Sequence, residues 1–219
     1  MKIIDRIIKS TQKSRKVNFN SANYWEKRYT DGGNSGAGSY NRLAEFKAQI
    51  LNDFCNKNNI KKVIEFGCGD GNQLKLANYN QYIGLDVSQK SIEICSAIFK
   101  EDLSKEFYVL DSINLNEEKF KGELILSLDV IFHLVEDNIY QLYMNNLFDA
   151  SSKYVIIYSS NYEFQPETQH VRHRCFTDYI EKYFPAFKLN STLKNKYPFD
   201  TNNPDDTSFA DFYFFEKVN

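Results

Sequence analysis

The feature that most constrains this chain is a short apolar segment that runs directly into a glycine-rich turn. Residues 63–72 read Val-Ile-Glu-Phe-Gly-Cys-Gly-Asp-Gly-Asn, which predicts a buried strand, a Gly-x-Gly-x-Gly turn and then a helix. Glycine is used where the backbone bends sharply or lies close to a ligand. In open α/β sheets, ligands bind at the carboxyl edge of the strands, where such a turn lies. The segment therefore predicts a ligand site on a parallel sheet.

Strand and helix patterns alternate through most of the chain. Apolar strands are predicted at 62–67, 82–85, 107–110, 124–128 and 154–158, with helices at 43–58, 73–78, 88–100, 137–150 and 176–184. Near-continuously apolar strands indicate a parallel sheet that is covered on both faces. The end of the chain reads as two strands, 187–194 and 209–218, joined by a polar turn. The predicted fold is an α/β three-layer sandwich, whose seven-stranded, mostly parallel Rossmann-like sheet ends in an antiparallel C-terminal hairpin.

The first 42 residues differ in pattern from the main domain predicted at 43–219. Residues 1–16 carry isoleucines on one helical face among basic residues, which predicts a short amphipathic helix. That helix packs on its own domain or touches a membrane surface or a partner. Residues 20–39 hold four of the nine glycines and predict a loop-rich lid. Trp25 and Tyr29 in this lid either stack on a cofactor or anchor the lid.

Composition excludes several classes of protein. The formal net charge of −2 lacks the basic excess of a dedicated nucleic-acid binder. The four cysteines form no CxxC pair, so they predict neither a zinc site nor a disulfide framework, and free thiols fit a cytoplasmic protein. No segment is apolar enough for stable membrane insertion. The oligomeric state is not indicated.

The residues around the glycine turn distinguish two classes of cofactor. A dinucleotide-binding turn would place its third glycine at position 72, but Asn72 stands there and the glycine comes one residue early. Glu65 and Asp70 would repel a pyrophosphate, whereas they suit a ligand with positive charge. S-adenosylmethionine carries a sulfonium and an ammonium, and Asp86 after the second strand offers a carboxylate for its ribose. The alternative is an ordinary tight turn without a ligand.

Four motifs in order resemble the class I S-adenosylmethionine-dependent methyltransferases. They are Glu65–Gly71, Gly84–Ser88, Leu110–Ser112 and Leu126–Leu134, which correspond to motif I, motif II, the adenine contact and motif IV of that family. The resemblance covers about residues 40–219. It implies cofactor contacts from Glu65, Gly67, Cys68, Gly69, Asp86, Val87, Asp111, Ser112, Leu128 and Asp129. Asp111 and Ser112 are also turn-forming residues, so a purely local role for them stays open.

His133 is the predicted catalytic residue. It follows Asp129 by four residues, and a neutral hydroxyl acceptor needs a general base. Histidine titrates near neutral pH and is suited to that role. The alternative is a histidine that only orients the cofactor or caps the turn.

Two further segments predict acceptor binding. The arginines in His170-Val171-Arg172-His173-Arg174 match phosphate or carboxylate oxygens, and the Gly/Ser loop before the helix at 43 offers backbone donors to an anion. The predicted substrate residues are Ser39, Tyr40, Arg42, His170, Arg172, His173 and Arg174. The alternatives are a solvated basic loop, or arginines paired with Glu163 and Glu167.

These features predict an O-methyltransferase for a small, polar, anionic acceptor, with S-adenosylmethionine as its cofactor and no metal. The Gly/Ser loop and the His/Arg cluster together resemble bacterial methyltransferases of surface-polysaccharide biosynthesis. That resemblance implies a phosphoramidate or sugar-phosphate precursor of the capsule as acceptor. One alternative is a non-catalytic cofactor-binding module. Another is methylation of RNA or protein, although Ser127-Leu128-Asp129-Val130 lacks the Asn/Asp-Pro-Pro-Tyr pattern of enzymes that methylate amino groups of bases.

Overall fold

The alternating strands and helices assemble into one seven-stranded sheet in the computed structural model, which describes residues 19–218. The strands are β1 Lys62–Phe66, β2 Gln81–Asp86, β3 Lys105–Val109, β4 Gly122–Leu128, β5 Ser151–Ser159, β6 Phe187–Leu193 and β7 Asp211–Lys217. The order across the sheet is β3-β2-β1-β4-β5-β7-β6. The first five strands are parallel, and β7 pairs antiparallel with both β5 and β6. The predicted fold class is confirmed.

Two of the five described helices begin at a side-chain cap, and one ends at a left-handed residue. The five helices are α1 Ser21–Thr30, α2 Asn41–Asn58, α3 Gln89–Ile98, α4 Asp137–Asp149 and α5 Phe176–Tyr183. Ser88 caps α3, because its side chain accepts a hydrogen bond from the Ser91 amide, as its sequence position predicts. Asn59 ends α2 in the left-handed conformation, with a φ of 53°. The short helix predicted at 73–78 is a single 3₁₀ turn at Gln73–Leu76.

The core has two halves, one on each face of the sheet. Alternate residues of β5 point to opposite faces, so Val155 and Ile157 pack with α4 and α5, whereas Ile156 and Tyr158 pack with α2 and α3. Because both faces of the central strands are covered, those strands are mostly apolar. This arrangement leaves the carboxyl ends of the parallel strands as the place for polar groups.

The prediction of a loop-rich segment at 20–39 is wrong for its first half. Residues 21–30 form α1, because the Asn20 side chain caps its first turn and the first glycine, Gly32, comes only after the last turn. Residues 1–16, for which an amphipathic helix is predicted, lie outside the described residues. Within residues 19–218, no helix has the length and apolar character that a membrane span requires. The division of the chain at residue 42 stays a prediction.

Phe148 tests the core between α4 and the hairpin. Its side chain is 2% exposed, and its ring lies 4.5 Å from that of Phe184 and 4.9 Å from that of Phe187 between centroids. We expect Phe148→Ala to lower the free energy of unfolding by about 3–5 kcal/mol, because it removes contacts and leaves a cavity. Urea denaturation measures this loss. Leu103→Ala is the control, since Leu103 is 94% exposed. A loss for Phe148→Ala no larger than for this control would contradict the described packing.

Candidate cofactor and active site

A cavity of about 410 Å³ lies where β1, β2 and β4 end. Its wall brings together most of the residues that the sequence predicts for cofactor binding and catalysis. These are Trp25, Tyr29, Glu65, Gly67, Cys68, Gly69, Asp86, Val87, Asp111, Leu128, Asp129 and His133, and Ser39 from the predicted substrate residues lies there as well. The volume is in the range of pockets for small molecules.

The glycine turn after β1 needs glycine for reasons internal to the protein. Gly67, Gly69 and Gly71 have φ values of 85°, 59° and 74°, which other residues rarely adopt. A Cβ on Gly67 would lie 2.4 Å from a methyl carbon of Val130, and one on Gly69 would lie 2.3 Å from Ser35 Oγ. The turn therefore closes tightly against β4 and the N-terminal segment, with Gly67 and Gly69 at the cavity wall.

Asp86 ties the end of β2 to the glycine turn. Its carboxylate accepts hydrogen bonds from the amides of Gly69 at 3.0 Å and Ser88 at 2.9 Å. Burial raises the pKa of this carboxyl, and those backbone amides counteract the rise. Each carboxylate oxygen accepts more than one hydrogen bond, so Asp86 retains capacity for hydroxyl groups of a ligand.

Glu65 gives the cavity a second buried carboxyl group. It is 4% exposed and accepts a hydrogen bond from the Tyr82 hydroxyl at 2.7 Å. Burial raises the pKa of Glu65 to about 7, and the nearby carboxylates Asp86 and Asp129 add to the rise. A cationic ligand would favour the ionised form, so this wall is suited to positive charge.

Lys47 is a site residue that sequence reasoning missed. It lies on α2, its side chain is 1% exposed, and its ammonium is 2.6 Å from Asp129 Oδ2. Asp129 itself has a φ of 59°, which turns the chain sharply after β4. The available signal was spacing: Lys47 stands four residues from both Leu43 and Leu51 and so falls within the apolar face of α2.

Asp70 fastens the N-terminal segment over the cavity. The amide and hydroxyl of Ser35 exchange hydrogen bonds with Asp70 Oδ2 and the Asp70 amide, both at 2.9 Å, and the Tyr40 hydroxyl donates to the same carboxylate at 2.8 Å. Asp70 and Tyr40 do not line the cavity. The sequence suggested that Asp70 faces a cationic ligand and that Tyr40 binds the acceptor. The structure uses both residues to close the segment that we call the lid, residues 19–40.

Two glutamates anchor α1 of the lid. Glu26 accepts hydrogen bonds from the Ser88 hydroxyl at 2.6 Å and the Lys90 amide at 3.2 Å, at the start of α3. Glu136 accepts from the Ser21 amide at 2.9 Å. Trp25 and Tyr29 lie between these anchors and form part of the cavity wall.

His133 lies at the cavity wall in a fixed orientation. Its Nδ1 is 2.8 Å from the carbonyl oxygen of His170, and its ring meets the Trp25 ring edge-on at 4.8 Å. A carbonyl oxygen only accepts hydrogen bonds, so Nδ1 carries the proton and Nε2 has a free lone pair. Burial lowers the pKa of His133 to about 4, which keeps the ring neutral at pH 7.

Other predicted site residues lie outside the cavity lining and have local partners. The Ser112 hydroxyl donates to the Val109 carbonyl at 2.7 Å, consistent with the turn-forming alternative. Arg42 donates to the Asp206 carbonyl at 2.7 Å and lies over the Tyr197 ring. His173 is buried, with Nδ1 2.6 Å from Ser160 Oγ.

The predicted arginine clamp is an internal ion-pair cluster. Arg172 and Arg174 contact the same Asp137 oxygen at 2.8 and 3.1 Å, and Arg174 also donates to the Leu134 carbonyl. Neither arginine lines the cavity. The predicted alternative partner Glu163 instead accepts from the Cys175 amide. The cluster fixes the segment 170–174 to the start of α4, because Asp137 pairs with both guanidinium groups.

Parts of this chain are similar in sequence to known methyltransferases. Residues 63–153 match a family model described as a methyltransferase domain. The chain is 34% identical over 76 residues to a tRNA (carboxymethyluridine(34)-5-O)-methyltransferase of Arabidopsis thaliana. That stretch makes up 35% of this chain and only 18% of the length of the relative.

Solved structures share the fold over most of their length. The N-methyltransferase NodS of Bradyrhizobium japonicum, bound to S-adenosylhomocysteine, aligns with a TM-score of 0.68 and 15% identity over 92% of this chain and 100% of NodS. The bacterial CtHen1-C methyltransferase domain aligns with a TM-score of 0.61 and 21% identity over 79% and 97% of the two chains. Residues 63–153 are therefore similar to a methyltransferase domain, and the described sheet has the fold of solved methyltransferases.

The cavity of the methyltransferase domain fits S-adenosylmethionine. The buried carboxyls of Glu65 and Asp86 suit a ligand with an ammonium, a sulfonium and ribose hydroxyls. Two acceptor atoms of residues at the wall, Gln73 Oε1 and Glu136 Oε2, are buried and have no hydrogen-bond partner among residues 19–218. An unpaired buried acceptor of this kind fits a ligand that donates hydrogen bonds.

Glu65 predicts a pH dependence of cofactor binding. Because its pKa is raised to about 7, Glu65 gains a proton as the pH falls through that value, and the cavity loses negative charge. We expect the affinity for S-adenosylhomocysteine, which retains the ammonium, to weaken between pH 8 and pH 6. Calorimetry at several pH values measures this, and Glu65→Gln should abolish the dependence. Identical pH profiles for the wild type and Glu65→Gln would show that another group is responsible.

Asp70→Ala should open the lid. The substitution removes three hydrogen bonds to a carboxylate, each worth about 1.5–3 kcal/mol, and two of them come from the lid residues Ser35 and Tyr40. We expect amide hydrogen exchange over residues 31–40 to become at least about tenfold faster. Glu93→Ala is the control, because it removes only exposed contacts, an ion pair with Lys90 and a hydrogen bond from Gln89. Unchanged exchange in Asp70→Ala would mean that the lid is held by other contacts.

Proposed function

We propose that the protein transfers the methyl group of S-adenosylmethionine to an oxygen atom of a small polar acceptor, with His133 as the general base. S-adenosylmethionine supplies an electrophilic methyl group bound to a positively charged sulfur. The protein has to hold the acceptor in line with that group and take up the proton that an acceptor hydroxyl releases.

The geometry of His133 is the observation that carries this proposal. The His170 carbonyl holds the proton on Nδ1, so Nε2 is the basic atom. The low pKa makes His133 a weak base that is fully unprotonated at pH 7. Such a base suits an acceptor whose proton becomes acidic only as the new bond to carbon forms.

Two classes of acceptor have support. An anionic precursor of a surface polysaccharide is the candidate that the sequence suggests, and its support is the Gly/Ser loop, because Arg172 and Arg174 pair with Asp137. The Arabidopsis relative favours a second candidate, a nucleoside in RNA, by similarity over a third of this chain. The panel of acceptors tested should therefore contain sugar phosphates, nucleotide-linked phosphoramidates and tRNA.

His133→Asn tests the proposal. The asparagine amide can still donate to the His170 carbonyl, but it cannot take up a proton. We expect the rate of methyl transfer to fall by about 10²- to 10⁴-fold, the usual contribution of a general base. The affinity for S-adenosylhomocysteine should change by no more than about threefold, which shows that the fold and the cofactor site are intact.

The pH profile separates a base from a residue that only positions the cofactor. The contribution of His133 to the wild-type rate should stay constant from pH 8 to about pH 5. It should fall as the pH approaches about 4, where Nε2 becomes protonated. A variant that loses rate together with cofactor affinity would refute the role as base. Cofactor binding without turnover on any acceptor in the panel would favour the non-catalytic module.

A further inference from the structure

The Lys47 ammonium has more donors than the protein uses. Lys47 is 0% exposed, and its Nζ carries three N–H groups. One contact goes to Asp129 Oδ2 at 2.6 Å, and the Tyr158 ring lies 5.2 Å away. Nζ makes no other hydrogen bond with residues 19–218. The buried Lys47 ammonium can therefore donate further hydrogen bonds at the cavity wall.

Gln73 has the opposite feature, an acceptor atom that receives no hydrogen bond. Its side-chain amide donates to the Ala44 carbonyl at 3.1 Å, whereas Oε1 is buried without a hydrogen-bond partner in the described part of the chain. Gln73 is 8% exposed and lines the same cavity. Ala44 and Lys47 lie three residues apart on α2 and so share one face of the helix. Unused donors and an unused acceptor thus belong to residues that line the same cavity.

Charge indicates what fills this place. Among the described residues that line the cavity, Lys47 is the one lysine or arginine, whereas five are acidic: Glu65, Asp86, Asp111, Asp129 and Glu136. The acidic groups suit the cationic parts of S-adenosylmethionine but would repel its carboxylate. The α-amino acid end of the cofactor carries both a carboxylate, which needs donors, and an ammonium, which needs acceptors.

We propose that Lys47 and Gln73 together bind the α-amino acid end of the cofactor. Lys47 Nζ donates to its carboxylate while remaining paired with Asp129, and Gln73 Oε1 accepts from its ammonium. This assignment depends on the proposed use of S-adenosylmethionine and adds the residues that select a ligand with an amino acid end. Two other roles for Lys47 are distinguishable: neutralising Asp129 alone, or holding the acceptor oxygen.

Two probes that differ only beyond the thioether separate these roles. S-adenosylhomocysteine has the amino acid end, and 5′-methylthioadenosine lacks it. Calorimetry compares both compounds with the wild type, Lys47→Met and Gln73→Leu. Lys57→Met is the matched control, because Lys57 is an exposed lysine on the same helix.

The expected result is a selective loss. Lys47→Met should weaken S-adenosylhomocysteine binding by about 10- to 100-fold, as expected when a hydrogen bond to a charged group is lost. Gln73→Leu should weaken it by about 3- to 10-fold. Both variants should bind 5′-methylthioadenosine within about twofold of the wild type, which also shows that they are folded, and Lys57→Met should match the wild type with both probes.

Other outcomes overturn the assignment. Unchanged S-adenosylhomocysteine binding in Lys47→Met would mean that the Lys47 ammonium only neutralises Asp129 or holds the acceptor oxygen. An equal loss of both probes would mean that Lys47 maintains the shape of the cavity. If Lys47→Met does not fold, Gln73→Leu is the remaining test. The assignment is then overturned if this substitution changes the affinity for both probes by the same factor. If the wild type binds neither compound, the proposed function itself fails.

Discussion

The hydrogen bonds between Ser35 and Asp70 fasten the lid to the glycine turn and so help to close the site. The parallel strands end in a shallow edge, and the glycine turn after β1 forms only its floor. Ser35 and Asp70 exchange two hydrogen bonds at 2.9 Å, which bring the lid onto that floor. Trp25 and Tyr29 become part of the wall only because the lid lies there. A carboxylate within the glycine turn therefore converts an open sheet edge into an enclosed cavity.

Enclosure in turn controls the chemistry of the buried charges. Charged groups that are removed from water need partners, and a low-dielectric wall strengthens each remaining interaction. Asp129 has Lys47, and Asp86 has two backbone amides. Glu65 has only a tyrosine hydroxyl, and its pKa is raised to about 7. The carboxyl with the weakest compensation is thus the one whose charge responds to a bound cation.

The sequence predicted the fold, and most of the residues that it predicts for the cofactor line one cavity, because both depend on local pattern. Strands, caps and the glycine turn are specified by residues that are neighbours in the chain, and Asp86 follows directly at the end of a strand. The parts that were missed depend on contacts between distant segments. Lys47 reaches Asp129 across 82 residues, and Ser35 reaches Asp70 across 35 residues. Polarity alone also could not show that Asp70 points away from the cavity, since the direction of its side chain is set by the lid.

The arginines at 172 and 174, which the sequence predicts for acceptor binding, pair with Asp137 and act on the site through the protein itself. Arg172 binds Asp137 through its side chain, and its amide donates to the Phe132 carbonyl at 2.7 Å. Arg174 binds the same aspartate and the Leu134 carbonyl. These contacts hold the segment that carries His170 against the turn that carries His133, so the His170 carbonyl meets Nδ1. The basic cluster therefore acts on the protein itself, because it fixes the tautomer of the histidine that we propose as base.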